Sequence, residues 1–272
     1  MTPSIGSAIR LMRHPMVWMA GVYFGLIILI AFVIASFLGL FTGIQVGFIL
    51  FLLLPLAIGG VLGMLRYDDY SPILFLMQAK KHYFGIIIPA LICIFVIVIT
   101  MSLLTIPLSF FIGNIDQSIV FLLCGVSIPV FLVTMFYAPI IVSEGATVTY
   151  SLMRSVALVL YDTISAIRFW VVGILLFFIV FFSASMVTTA LTYEHLAQYA
   201  NLSIAEQQVI YSAFTAEEWI AMFGDGIVFL VLFVSICAII VTTFLLCYLF
   251  VCYREVRKTV PDAPIFQNGK LR

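Results

Sequence analysis

Few side chains here have the chemistry for acid–base or metal work: Asp68, Asp69 and His82 in one connecting stretch, and Glu144 and Asp162 in another. Two carboxylates and an imidazole would suffice for proton transfer or for a divalent cation if they converged. Their spacing gives no such convergence, because no His-Glu-x-x-His pair or comparable ligand set occurs, and solvated charges beside a membrane are the plainer account of them. The glycine-rich phosphate loops and the Gly-x-Ser-x-Gly elbow are absent too, so no nucleotide, cofactor or serine-hydrolase chemistry is implied. His195 stands alone. The five cysteines, Cys93, Cys124, Cys237, Cys247 and Cys252, form no Cys-x-x-Cys and no pair in an outer loop, so neither a disulfide framework nor a zinc site is expected. No catalytic, cofactor-binding or metal residue is assigned, and a non-enzymatic protein is the expectation.

The elements that hold these residues are apolar. Of 272 residues, 65% are hydrophobic and 9% charged, and the mean hydropathy is +1.28, which a water-soluble core does not explain. The apolar residues gather into six runs, about 16–40, 44–64, 84–108, 118–142, 167–191 and 227–253. Each is long enough for a helix to cross roughly 30 Å of hydrocarbon at about 1.5 Å per residue. A β-barrel would alternate apolar and polar over about ten residues, and these runs are apolar on every face. The reading is an all-α, polytopic, six-helix membrane bundle in a single domain. The first run follows Arg10, Arg13 and His14, but it is longer than a signal-peptide core and leads straight into a second run, so it reads as a retained span.

A formal net charge of zero hides a partition between the two sides. All 12 Lys and Arg residues fall on one of them: Arg10, Arg13, Arg66, Lys80, Lys81, Arg154, Arg168, Arg254, Arg257, Lys258, Lys270 and Arg272. The opposite connections hold Asp116, Glu194, Glu206, Glu217, Glu218 and Asp225. The positive-inside rule therefore places both termini in the cytoplasm and the protein in the cell membrane. No charge lies in the interior of a span, which disfavours ion-coupled carriers, proton pumps and voltage sensors.

Two outer connections, 41–43 and 109–117, are short and predict helical hairpins, whereas the third, 192–226, is long. It carries two capping-box patterns, Ser203 with Glu206 and Thr215 with Glu218, that predict short surface helices, with Trp219 suited to the interface. Asn201-Leu202-Ser203 matches a glycosylation sequon, although a turn and helix cap is the plainer role for Asn201 and Ser203. On the inner side, 4–14, 71–82 and 149–168 each read as an amphipathic stretch ending in basic residues before an aromatic. They suggest cytoplasmic interface helices and a threefold repeat of inner helix plus hairpin. In the last of these, Leu152, Val156, Val159 and Leu160 are expected to face bilayer or bundle, Arg154 and Asp162 to reach water or headgroups, and Glu144 to pair with Arg154 or a neighbouring cation.

Gly21 with Gly25 and Gly59 with Gly63 are Gly-x-x-x-Gly pairs, read either as a close approach of the first two spans or as chance spacing. Pro55, Pro89, Pro107, Pro129 and Pro139 are expected to kink or end their spans. Thr100, Ser102, Thr105, Ser183, Ser185, Thr188 and Thr189 would either line a polar route or bond back to their own helices.

The stretch Tyr-Ala-Pro-Ile-Ile-Val-Ser-Glu from Tyr137 leads to a helix with an Arg-Ser pair. With Pro139, Glu144, Arg154 and Ser155, it resembles a prokaryotic family of six-helix membrane proteins. That family includes the membrane domain of some glycerophosphodiester phosphodiesterases and YciC-type proteins. Val156 stands where the family often has tryptophan. The resemblance implies a membrane module without the soluble phosphodiesterase domain. The functional expectation is a module whose basic inner residues, Arg10, Arg13, Lys80, Lys81, Arg154, Arg168, Arg254, Arg257 and Lys258, contact anionic lipid, a protein partner or a second copy, and not nucleic acid. The alternatives are a permease with a hydroxyl-lined route, or a membrane enzyme built on Asp68, Asp69, His82 and Glu144.

Overall fold

The computed structural model describes residues 5–111, 116–197, 202–215, 218, 222–224 and 226–259, and helix is the only regular structure among them. Six helical stretches are long and apolar enough to cross a membrane: Pro15–Leu38, Leu40–Tyr67, Pro72–Thr105, Gly125–Glu144, Thr163–Glu194 and Gly226–Lys258. This is a multi-pass helical membrane protein. The chain divides into two compact units. One comprises Met1–Ala20, Leu52–Gly173 and Thr242–Arg272, the other Gly21–Phe51 and Ile174–Val241.

In the second unit, helix α2 (Met19–Leu38) turns into α3 (Leu40–Phe51) through Gly39 alone, at φ +91°. The turn thus falls two residues before the expected 41–43 connection. A left-handed residue without Cβ allows so short a reversal. At Gly43 a Cβ would lie 2.6 Å from the Ala31 carbonyl oxygen, so only glycine lets α3 lie this close to α2. Gly25 faces the sixth span: its Cβ would sit 2.5 Å from Ile239 Cγ1 and 3.0 Å from the Ser235 carbonyl oxygen. In the long connection, α10 (Ile204–Ala213) begins with the expected capping box, reciprocal between Ser203 and Glu206. Thr215 and Glu218 make the same exchange of bonds. The sequon residue Asn201 and Trp219 lie outside the described residues.

In the first unit, α1 (Ile5–Leu11) precedes the first span, which opens with a 3-10 turn (Pro15–Trp18) whose Trp18 Nε1 donates to the Met12 carbonyl. Helix α4 (Leu54–Tyr67) continues the second span after a break at residues 52–53. Pro55 causes that break, since it has no N–H for the carbonyl four residues earlier. The Leu56 N–H turns to the Leu53 carbonyl at 3.0 Å, and the Tyr83 hydroxyl donates to the Leu52 carbonyl, 3.3 Å away. Helix α5 (Pro72–Phe111) begins with Ser71 as cap, its Oγ accepting from Leu74 N, and runs 40 residues, about 60 Å at 1.5 Å per residue. The inner stretch 71–82 is therefore no separate interface helix but the first turns of the third span. Helix α4 packs on these turns: Cβ atoms at Gly59 and Gly60 would lie 3.2 Å from Ile86 and 2.5 Å from Phe75, and one at Gly63 would collide with the Gln78 side chain. Gly25 and the Gly59/Gly63 pair thus serve two different contacts, and Gly59 and Gly63 meet the third span rather than the first.

The fourth span is α6 (Asp116–Thr134) and α7 (Tyr137–Glu144), broken at residues 135–136 because Pro139 cannot donate to Met135. Pro129, by contrast, lies inside α6. Helix α8 (Val148–Tyr161) follows, then α9 (Thr163–Leu196) and α11 (Gly226–Thr259). Asp162 does not project as a free charge. It caps α9, accepting from Ser165 N at 3.1 Å and from Ser165 Oγ at 2.7 Å. The hydroxyls Ser102, Ser185 and Thr189 each donate to a carbonyl four residues back in their own helix.

Candidate functional site at the basic side

The Pro139 break needs a partner for its exposed backbone groups, and α8 supplies it. Ser155 Oγ accepts from Phe136 N at 3.0 Å and donates to the Val133 carbonyl at 2.9 Å, bridging both lips of the break. This fixes α8 against α6 and α7 by the face that carries Ser151, Arg154, Ser155, Leu158 and Val159, all buried. Arg154 is only 9% exposed and its Nε has no acceptor. Leu160, expected to face bilayer or bundle, is 69% exposed. The expectation that Arg154 reaches water or headgroups is not met, whereas Leu160 is free to face the bilayer. At a membrane surface an apolar side chain can face acyl chains, and the polar stripe turns inward.

Beyond the break, α7 ends at Gly145, at φ +66°, whose N–H donates to the Ile141 carbonyl at 3.0 Å. The last carbonyls of a helix lack internal donors and carry partial negative charge. The Arg66 guanidinium, from the end of α4, donates to one of them, that of Val142. Glu144 then accepts from the Tyr253 hydroxyl at 2.9 Å and lies 3.6 Å from Arg257 Nε. It pairs with the sixth span and not with Arg154. Tyr253 is almost wholly buried, so this contact locks the end of the fourth span to the end of the sixth.

The result is a cavity of about 710 Å³ walled by Leu65, Arg66 and Asp68 of the α4 end, Ser143, Leu11, and the α11 residues Phe250, Tyr253, Arg254, Arg257 and Lys258. The α11 residues recur at three and four positions, so one helical stripe delivers both the aromatic floor and the cations. Arg257 is held by Glu144 and Lys258 by Glu255 at 3.2 Å. Arg254 stacks over Phe250, 5.8 Å from the ring centroid, and among the described residues it has no carboxylate partner. The lining residue Asp68 accepts from the Tyr70 hydroxyl at 3.0 Å, and the Tyr70 ring stacks on His14 at 3.8 Å between centroids. Burial, reinforced by Asp68 as acceptor and negative neighbour, pushes its phenol up to about 12, so it stays a neutral donor.

The structure gathers Arg254, Arg257 and Lys258 of the predicted contact residues into this site. Arg10, Arg13, Lys80, Lys81 and Arg168 are exposed elsewhere and line no part of it. Arg66, Tyr253 and Ser155 carry much of the local architecture without having been singled out for it. The four acid–base candidates are engaged separately: Asp68 with Tyr70, Asp69 capping the turn to Ser71, buried His82 with Gln78 at 3.0 Å, and Glu144 with Tyr253. Among the described residues no group of three His, Cys, Asp or Glu could hold a metal ion. No family model, curated protein or solved structure matches this chain.

Proposed function

We propose that this protein is a non-enzymatic membrane module, akin to the YciC-type proteins, whose basic, cytoplasmic side receives the headgroup of an anionic phospholipid. The cavity carries the reading: Arg66, Arg254, Arg257 and Lys258 line it beside one carboxylate, Asp68, with Phe250 beneath. Among the described residues Arg254 has no carboxylate partner, and guanidinium donors in a fork suit phosphate oxygens. Each basic residue near an anionic surface contributes about 1 kcal/mol, so replacing two should weaken binding by about 10- to 30-fold. The test is binding of phosphatidylglycerol, against phosphatidylcholine, to purified protein and to the Arg254→Gln/Arg257→Gln double variant. A preference for phosphatidylglycerol that fades in the variant and at high salt supports the reading; equal binding of both lipids by the unaltered protein rejects it.

A further inference from the structure

Helix α8 has its polarity turned round. The surface it leaves uncovered is apolar, with Met153 53%, Leu160 69% and Tyr161 61% exposed, and the residues it covers include Ser151, Arg154 and Ser155. In a membrane protein such an apolar surface is solvated by acyl chains, so phospholipid lies along the helix that carries Arg154. The guanidinium itself lacks what its burial demands. Its Nε is shut off from solvent without an acceptor. Glu144 is occupied by Tyr253 and Arg257, Glu255 by Lys258, and no ion pair reaches Arg154 among the described residues. The neighbouring hydroxyl protons are spoken for as well, Ser151 donating to the Val148 carbonyl and Ser155 to that of Val133. A buried cation left without a counter-charge is strongly unfavourable, and arginine cannot shed its proton to escape.

We infer that Arg154 binds the phosphate of one phospholipid, lodged against the covered edge of α8 with its acyl chains along the exposed apolar face. The remaining 9% of the residue's surface is the way in for the phosphate oxygens. This deepens the lipid-contact reading and rests on it for the membrane setting, but it differs in chemistry. The cavity selects net negative charge at a wet, salt-screened surface. Arg154 requires a phosphate, which zwitterionic and anionic phospholipids both carry, in a place that salt screens little.

Thermal unfolding of the full chain in a phosphate-free maltoside detergent separates the two. The additions are a glucosyl diacylglycerol, phosphatidylcholine, phosphatidylglycerol, or inorganic phosphate alone. Phosphatidylcholine should raise the unfolding temperature above the glucosyl lipid by about 2 to 4 °C, at low and high salt alike. Arg154→Gln should abolish that difference and Arg154→Lys should keep part of it. The Arg254→Gln/Arg257→Gln variant should retain it in full while losing only the extra response to phosphatidylglycerol. Equal effects of phosphatidylcholine and the glucosyl lipid on the unaltered protein would overturn the inference even if Arg154→Gln cannot be purified. Full retention of the difference in Arg154→Gln would do the same. A full response to inorganic phosphate alone would overturn the lipid assignment.

Discussion

Ser155 shows how much one hydroxyl can hold. It satisfies Phe136 N–H and the Val133 carbonyl at a break that Pro139 makes unavoidable. Ser155→Ala should destabilise the protein by about 1 to 3 kcal/mol, since both backbone groups lose a buried partner, and unfolding by titration with sodium dodecyl sulfate would measure it. An unchanged midpoint would mean that the break is stable without α8. Tyr253→Phe deletes a hydrogen bond to a carboxylate and should cost about 1 to 2 kcal/mol by the same assay, with Glu144 left to Arg257. At this scale the sequence was only half legible. Pro139, Glu144, Arg154 and Ser155 stood out as a pattern, and all four lie in or beside α7 and α8. Their bonds could not be read, because Glu144 finds its partner 109 residues away in Tyr253. Arg154 misled for a different reason: helical periodicity marks two faces, and only the surrounding solvent decides which one is covered.

Among the elements, six apolar spans were legible in number, since hydrocarbon thickness sets a minimum length whatever they pack against, but the third apolar helix begins at Pro72 rather than near residue 84. Their junctions were less so. The expected break before the third span is absent, because 71–82 contains no residue that ends a helix once Pro72 has begun it. Small-residue spacing announced close packing but not the partner, as Gly59 and Gly63 show by meeting Gln78, His82 and Ile86. Gly63→Ala should therefore lower stability by about 1 to 3 kcal/mol through overpacking against Gln78. Gly125→Ala should be neutral or gain up to about 1 kcal/mol, because nothing lies within 4 Å of its Cβ position. Melting temperatures in one detergent decide this, and equal effects of the two substitutions would contradict the α4–α5 contact. In the long connection, the Ser203 side chain and then its backbone N–H hold the Glu206 carboxyl below its ordinary 4.5, as the Thr215 backbone and hydroxyl do for Glu218. A carboxyl depressed in the folded state contributes stability above its unfolded value, and that contribution is lost as pH falls through the folded one. A spin label at exposed Val209 should accordingly gain mobility as pH drops below 4.5, and Glu206→Gln should remove the response.

For the molecule as a whole, the side on which the basic residues lie is decisive, because the lipid site proposed at the Arg254 cavity requires a membrane surface rich in anionic lipid. Composition and periodicity made the six spans plain, and the partition of all 12 Lys and Arg residues supplies the orientation argument. The inner helices and any threefold repeat were less legible: α1 and α8 are separate helices, whereas the corresponding stretch before the third span is continuous with it. The most direct test is labelling of single cysteines, in a background without the native five, by a membrane-impermeant maleimide applied to intact cells. Cysteines at Phe41 and Leu202 should react from outside, and cysteines at Tyr70 and Lys81 only after the membrane is opened. Labelling of Tyr70 or Lys81 in intact cells would contradict the orientation, and with it the placement of the basic cavity against the cytoplasmic leaflet.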